Sequence, residues 1–480
     1  MLRLADIDVT KLSPMMQQYV EIKKKYENHV VFFRLGDFYE MFFDDAITIS
    51  KELELTLTGR DCGFDERAPM CGVPYHACDL YLKKLISKGF MVAICEQTTD
   101  PALSKGLVTR EVVRVVTPGT LIDSTMLDES KNNYICSFYG IDNQCSLCFA
   151  DISTGEVHSY TFSGSDLQNE CIQVLSRYSP AEIIYNIGFL TLKEVNEFVI
   201  EKIKPSSTLV KDDSFSPVLQ KENVLTQFNA QSYEDLNIDE NSIAANSIAA
   251  MFAYICDTQK SLVGRFSVIN THQNDEFMSV GFTAKRNLEL VETMRNKERK
   301  GSLLWVLDKT KTSMGKRMLK SFLEQPLTNP AKIMARLDAV NQFVNSPVEA
   351  GELSECLSGV YDLERLMTRV MYKTATPRDV KALSLTALKL PGIKDILSGF
   401  SSRLLTALNN EISTLDEISA LIENAIVDEP PALLKDGGVI KDGFNADLDT
   451  LRQIISGGKG IIDDIESREK ERTGIKNLKI

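Results

Sequence analysis

The stretch GDFYEMFF, residues 36–43, follows the apolar run VVFF at 31–34. An apolar run of this kind is typical of a buried strand, and Gly36 can free the backbone where that strand ends. The stretch also sets aromatic rings, among them Phe38, beside carboxylates such as Glu40. A core strand needs the rings but not the acids, whereas a catalytic site needs the acids more than the rings.

Phe38 and Glu40 point to the same face if the strand continues, because they are two residues apart. An exposed ring can stack on a nucleic-acid base, which contributes about 1–3 kcal/mol per base. A carboxylate is repelled by phosphates, but it can accept a hydrogen bond from a base edge. An apolar wedge costs less free energy at a mispaired, deformable step than in paired DNA. Spacing alone leaves two interpretations open: a core strand, or a pair that stacks on and reads a base.

The chain has 480 residues, enough for about three domains. Its hydrophobic content of 43% and charged content of 25% are those of an ordinary globular protein. It shows no secretory signal and no apolar run of about 20 residues that could span a bilayer. Ten scattered cysteines without a framework spacing indicate reduced thiols. The sequence therefore predicts a cytoplasmic location and no membrane partner.

The net charge of −13 argues against a general nucleic-acid binder, which needs clustered Lys and Arg. Locally the balance differs, because eleven basic residues between 285 and 320 are opposed by four acidic ones. This segment is either a solvated helical face or a phosphate-binding strip.

Three regions differ in their sequence patterns. The first 120 residues alternate helical and strand signals, which predicts a small mixed α/β domain. Residues 130 to about 255 begin with a three-strand meander and predict a second α/β domain. From about 256, long amphipathic patterns predominate. The predicted fold is therefore multidomain α/β followed by mainly α.

Other chemical motifs are weak. Cys145 and Cys148 lack a second ligand pair and would point to opposite faces of a strand, so we interpret them as buried thiols. A looser group receives the same interpretation: Cys62, Cys71, His76 and Cys78. Lys316 in MGKR and Lys459 in GGKG lie outside any phosphate-loop pattern. The sequence thus predicts no metal site, no ATP site and no catalytic residue.

Paired carboxylates leave one enzymatic alternative. Asp142, Asp151 and Glu156 lie around the hairpins of the second domain, where a ribonuclease-H-like, metal-dependent nuclease would place some of its acids. Turn chemistry explains the same residues, since Asp142-Asn143 and Gly155-Glu156 are turn signals.

Longer motifs extend over nearly the whole chain. In the first domain they are GDFYEMFF, PMCGVPYHA at 69–77, LISKGFMVAICEQTTDP at 85–101 and VVTPGT at 115–120. Further on they are FADISTGE at 149–156, GSLLWVLDKTKTSMGKRMLKSFLEQPL at 301–327, YDLERLMTRV at 361–370 and ESREKERTGIKNLKI at 466–480. In this order the motifs resemble the MutS family of bacterial DNA mismatch repair proteins.

The resemblance implies four domains. They are a mismatch-binding domain at 1–122, a ribonuclease-H-like connector without nuclease activity at 130–255, an incomplete core and lever domain of long helices at 256–435, and the start of a clamp domain at 436–480. Mismatched double-stranded DNA is the implied ligand, kinked and held between the first domain and the clamp.

The resemblance also implies the site. Phe38 matches the phenylalanine of the family's Phe-x-Glu motif and would stack on a mispaired or unpaired base, and Glu40 would hydrogen-bond to that base. A supporting motif surrounds them: Gly36, Asp37, Tyr39, Tyr75 and His76. A family paralogue that binds junctions or partners is an alternative, which the Phe38/Glu40 pair argues against.

One departure from the family limits what the resemblance implies. The family is a DNA-dependent ATPase, but this sequence matches its N-terminal half and contains no Walker motif. ATP and Mg²⁺ are therefore expected only in the family's missing ATPase domain. A MutL-type partner and a homodimer are expected for the full-length family protein. The sequence leaves open whether the protein is an enzyme.

Overall fold

The computed structural model of this chain describes residues 8–98, 108–260, 266–272, 277–475 and 477–478. Two compact units are present: Met1–Val340 with Met367–Lys373, and Asn341–Leu366 with Thr374–Ile480. The first unit holds two mixed α/β regions and the beginning of the helical region, and the second unit is helical. The prediction of α/β regions followed by mainly α structure is confirmed. No helix in the described part of the chain has the length and apolar character needed to cross a membrane.

The first α/β region is built on one six-stranded sheet. Its elements are α1 (Pro14–Lys25), β1 (Val30–Leu35), β2 (Phe38–Phe42), α2 (Phe43–Glu52), β3 (Thr58–Arg60), β4 (Ala68–Pro74), α3 (Cys78–Ser87), β5 (Val92–Gln97) and β6 (Arg110–Val116). The strand order is β3-β4-β2-β1-β5-β6. Strands β1 and β5 are parallel, and the other neighbours are antiparallel.

The first four residues of strand β1, 30–33, are all apolar and buried because helices cover both faces of the strand there. Val31 and Phe33 pack in a core with Tyr19 of α1, while Phe32 packs in a second core with residues of α2 and α3. Burying each such side chain stabilises the fold by about 1.5–3 kcal/mol. A strand buried on both faces therefore reads as a continuous apolar run.

The second α/β region contains a second six-stranded sheet. Its elements are β7 (Ile135–Ile141), β8 (Gln144–Asp151), β9 (Glu156–Ser163), α4 (Leu167–Tyr178), β10 (Glu182–Tyr185), α5 (Lys193–Phe198), β11 (Ser206–Leu209), α6 (Lys221–Phe228), α7 (Ile243–Gln259) and β12 (Asn270–His272). The order is β11-β10-β7-β8-β9-β12. Strands β7, β8 and β9 form an antiparallel meander, whereas β10 runs parallel to β7. Strand β12 adds to this sheet from beyond residue 255.

The remaining described elements are helical, apart from isolated bridges. They are α8 (Phe282–Asn287), α9 (Leu303–Leu307), α10 (Ser313–Glu324), α11 (Pro330–Asn345), α12 (Pro347–Ser358), α13 (Leu363–Met371), α14 (Pro377–Ala387), α15 (Leu390–Ser398), α16 (Arg403–Glu411), α17 (Asp416–Ala425) and α18 (Ala446–Thr473). Prolines begin α11, α12 and α14, where the missing N–H is tolerated. They divide the amphipathic stretches, so only α18, with 28 residues, is long.

A buried carboxyl joins the two α/β regions. Glu182 of β10 is fully buried, and its Oε2 accepts hydrogen bonds from the Thr117 hydroxyl and, at 2.8 Å, from the Gly119 N–H. Its Oε1 accepts a hydrogen bond from the Tyr254 hydroxyl at 2.5 Å. A Cβ at Gly119 would lie 2.8 Å from the Cβ of Glu182, so glycine is needed there. The VVTPGT motif therefore holds the two regions together.

Burial raises the pKa of the Glu182 carboxyl, and the three hydrogen bonds only partly oppose this effect. The folded protein consequently keeps this proton to a higher pH than the unfolded chain does. The contribution of Glu182 to stability is thus full below its unfolded pKa and is lost as the pH rises through the folded pKa.

Glu182→Gln removes this ionisable group. We expect the free energy of unfolding of the variant, relative to the unsubstituted protein, to increase as the pH rises from about 4 towards neutrality. Urea unfolding followed by circular dichroism across that range measures the difference. Glu201→Gln, at an exposed position of the same region, is the control and should show a difference independent of pH. If the difference in the free energy of unfolding between Glu182→Gln and wild type did not change with pH, the raised pKa of Glu182 would be contradicted.

Candidate nucleic-acid interface

The site begins at the two-residue turn between β1 and β2. Gly36 has a φ of +57°, a left-handed conformation that glycine adopts at little cost. The Gly36 carbonyl accepts a hydrogen bond from Arg34 Nε at 2.5 Å, and the Asp37 carbonyl accepts one from the Tyr75 N–H at 2.9 Å. Both residues of the turn are thereby fixed, and so is the position of the next residue, Phe38.

Phe38 is the exposed aromatic residue of β2. Its relative exposure is 46%, whereas the adjacent Tyr39 is 6% exposed and packs in the core against Phe32. Phe38 lies opposite Leu35 on β1 and Pro74 on β4. The core-strand interpretation therefore accounts for the other rings of GDFYEMFF and leaves the ring of Phe38 available to a ligand.

Glu40 lies on the same face as Phe38 and is only 14% exposed in its side chain. Its Oε2 lies 2.5 Å from Nη1 of Arg60 on β3. Its Oε1 makes no hydrogen bond to any residue that the structure describes. Gly72 of β4 is its cross-strand neighbour, and a Cβ at Gly72 would lie 3.4 Å from the Cγ of Glu40. The atom closest to such a Cβ would be the Tyr39 carbonyl oxygen, at 3.2 Å, so the glutamate side chain itself does not require a glycine at this position.

Tyr75 and His76 lie in a short 3₁₀ turn, Tyr75–Ala77, directly after β4. The guanidinium carbon of Arg34 lies 3.8 Å from the centroid of the Tyr75 ring, a cation–π contact. The rings of Tyr75 and His76 pack edge to face, with their centroids 5.9 Å apart. The structure therefore brings the supporting residues next to the turn that precedes Phe38.

Sequence reasoning missed three arginines at this site. Arg34 and Arg60 make the contacts described above, and Arg110 donates from Nε to the Arg34 carbonyl at 2.8 Å. Burial lowers the pKa of Arg110, whose guanidinium lies 5.0 Å from the centroid of the Phe33 ring. Only Arg34, adjacent to the turn in the sequence, could have been found from local spacing.

Part of the basic segment at 285–320 is paired within the described structure, with ion pairs at Lys285, Arg299, Lys316 and Lys320. Lys285 is buried and lies 3.8 Å from Glu324, which is also 3.8 Å from Lys320. Arg299 pairs with Asp308 in the same way. The segment is not one solvated helical face, because Lys285 is buried and the basic residues from 295 to 300 lie between α8 and α9. The ion pairs reduce the positive charge that the segment could offer to phosphates.

The structure brings together two of the three carboxylates of the nuclease hypothesis. Asp151 and Glu156 are cross-strand neighbours on β8 and β9, and both accept a hydrogen bond from Asn132 Nδ2, at 3.1 and 3.2 Å. Asp151 is fully buried, and its two oxygens accept four hydrogen bonds, two from Ser153 and one each from Asn132 and the Asn133 N–H. Asp142 lies at the other end of β8, in the β7–β8 turn. Among the described residues, no group of three or more His, Cys, Asp or Glu side chains could hold a metal ion.

The cysteines are free thiols, and eight of the ten are buried. Cys145 and Cys148 belong to the cores on opposite sides of the second sheet, as their spacing predicted. Burial raises the pKa of Cys71 and of Cys78 to about 12, which keeps both thiols protonated and unreactive at neutral pH.

Asp151→Asn tests the structural role of this carboxylate. The amide nitrogen of the variant would face hydrogen-bond donors, so we expect a loss of about 1–3 kcal/mol in the free energy of unfolding. Asp142→Asn is the matched control, because asparagine tolerates the positive φ of that exposed turn. With Mg²⁺ or Mn²⁺, cleavage of duplex DNA should be absent from wild type. Metal-dependent cleavage by wild type that is abolished in Asp151→Asn would support the nuclease hypothesis.

Comparison with known proteins identifies the protein family to which these domains belong. Family models match three consecutive stretches: MutS domain I at residues 13–125, MutS domain II at 133–267 and MutS domain III at 283–476. The chain is thus assembled from MutS domains, and the exposed Phe38 and the partly buried Glu40 lie in the first of them.

The relatives agree with these matches. The chain is 45% identical over 474 residues to the DNA mismatch repair protein MutS of Acetivibrio thermocellus and 46% identical over 472 residues to that of Alkaliphilus oremlandii. Each alignment covers 98% of this chain and 54% of the relative. The chain belongs to the MutS family, and it spans about half the length of the curated relatives it matches.

Proposed function

We propose that this protein recognises mispaired or unpaired bases in double-stranded DNA during mismatch repair. The observation that carries the proposal is the exposed ring of Phe38 on the same strand face as Glu40, whose Oε1 accepts no hydrogen bond from the residues that the structure describes. Membership of the MutS family and relatives named DNA mismatch repair protein MutS support it.

In the proposed mechanism, Phe38 enters a helix step from the minor groove and stacks on the faulty base. The step is already poorly stacked there, so opening it costs less than in paired DNA. Glu40 then accepts a hydrogen bond from the edge of that base. Resemblance to the family supports a kinked duplex, with a second protein contact supplied by the clamp region at 436–480.

We propose that the second α/β region is a ribonuclease-H-like connector without nuclease activity. The antiparallel meander β7-β8-β9, followed by β10 parallel to β7, supports that topology. The occupied oxygens of Asp151 support the absence of catalysis. Residues 256–435 are proposed to be the family's core and lever domain.

The activities of the whole family protein are proposed for that whole protein only. They are ATP hydrolysis with Mg²⁺, contact with a MutL-type partner and formation of a homodimer. We propose no cofactor for the residues of this chain. A cytoplasmic location, without a membrane partner, is proposed from the reduced cysteines and the repair function of the relatives.

Phe38→Ala removes the stacking ring from an exposed position, where the fold does not depend on it. We expect the preference for a mismatched over a matched duplex to fall about 5- to 150-fold, which corresponds to the loss of about 1–3 kcal/mol of stacking. Fluorescence anisotropy with two duplexes that differ by one base measures the ratio of the dissociation constants.

Val113→Ala is the control for Phe38→Ala, because Val113 is 42% exposed on β6 of the same sheet. This variant should keep the wild-type ratio. Equal discrimination by wild type and Phe38→Ala would contradict the proposed function. Tighter binding of a four-way junction than of any mismatch would favour the paralogue interpretation instead.

A further inference from the structure

We propose that Arg60 is a positioning residue that orients Glu40 and neutralises its charge, so that Oε1 of the glutamate is presented to the base. The inference rests on the proposed function and adds to it a residue outside the Phe-x-Glu motif. Arg60 lies 20 residues away in the sequence, on the edge strand β3, and is joined to Glu40 by the ion pair at 2.5 Å.

The geometry assigns different tasks to the two oxygens of Glu40. Oε2 is engaged by Arg60, and Oε1 makes no hydrogen bond to any described residue. A glutamate side chain has several rotatable bonds, and fixing them before the ligand arrives reduces the entropy lost on binding. The carboxylate is therefore held in one orientation in the DNA-free protein.

The charge of the Glu40 carboxylate is the second reason to assign this role to Arg60. Duplex DNA carries one negative charge per about 1.7 Å of its axis, and a lone carboxylate at its surface is repelled. At physiological salt the screening length is about 8 Å, so a charge in the groove is not screened from the nearest phosphates. Arg60 makes the pair neutral overall while leaving one oxygen free to accept a hydrogen bond.

A direct contact of Arg60 with a phosphate is the competing role, because its side chain is 38% exposed. The two roles predict different measurements. A phosphate contact contributes equally to matched and mismatched duplexes, and its loss reduces the salt dependence of binding by about one unit of slope. A positioning role acts only through Glu40 and therefore changes the ratio between the duplexes.

The test measures dissociation constants for a mismatched and a matched duplex at several salt concentrations. Arg60→Gln should lower the ratio between the two about tenfold, which corresponds to about 1.4 kcal/mol. The salt slope for matched DNA should stay unchanged. In a Glu40→Ala background, Arg60→Gln should lower the ratio no further. Arg60→Lys, which keeps the charge, should restore most of the ratio.

Lys88→Gln is the matched control. Lys88 forms an exposed ion pair with Glu52 at 2.7 Å in the same α/β region, so its removal changes the net charge equally. It should leave the ratio unchanged. Thermal melting checks that the variants are folded, and Arg60→Met provides a second uncharged side chain of similar length should Arg60→Gln fail to fold.

The outcomes separate the inference from the proposed function. If wild type shows no preference for the mismatch, the proposed function fails, and the inference fails with it. If wild type discriminates but Arg60→Gln keeps the full ratio, only the inference is overturned. It is also overturned if Arg60→Gln weakens binding to both duplexes by the same factor with a smaller salt slope, which would assign Arg60 to a phosphate.

Discussion

The register of the β1–β2 hairpin is the constraint on which the site depends. Side chains alternate along a strand, so a slip of one residue would turn Tyr39 outward and bury Phe38 and Glu40. Two hydrogen bonds to the turn carbonyls of Gly36 and Asp37 oppose that slip. The buried Tyr39 opposes it as well, because its hydroxyl donates to Glu96 and its ring belongs to the core. Burial of the Tyr39 ring thus keeps the adjacent Phe38 on the opposite face of the strand, where its ring is exposed.

Local patterns predicted the local part of this arrangement. The apolar run VVFF predicted β1, and a spacing of two residues predicted that Phe38 and Glu40 share a face, as the observed register shows. Burial of Tyr39 and exposure of Phe38 could not be separated, because both are aromatic residues in one short strand. Tyr39 is buried because helices α2 and α3 pack on its side of the sheet, and that packing is not visible in the spacing of the strand residues.

The periodicity of the sequence could not predict contacts between residues that are far apart in the chain. The contact of Arg60 with Glu40 depends on the order β3-β4-β2, and the contact of Glu182 with Gly119 depends on how two sheets are joined. The segment at 285–320 was a candidate phosphate-binding strip because its basic residues are clustered in the sequence. Several of these charges are paired in the fold, so sequence density was a poor guide to the surface available to phosphates.

Under the proposed function, these pairings explain how a chain of net negative charge would recognise a mismatch in DNA. Near Phe38, each of the three arginines has an internal partner: Arg34 contacts Tyr75, Arg60 contacts Glu40, and Arg110 donates to a carbonyl. Two of these guanidinium charges are also opposed by carboxylates, Arg60 by Glu40 and Arg34 by Glu96 at 3.7 Å, which reduces the attraction of this face for phosphates. Discrimination can then rest on the difference between a step that opens easily for an aromatic ring and one that does not.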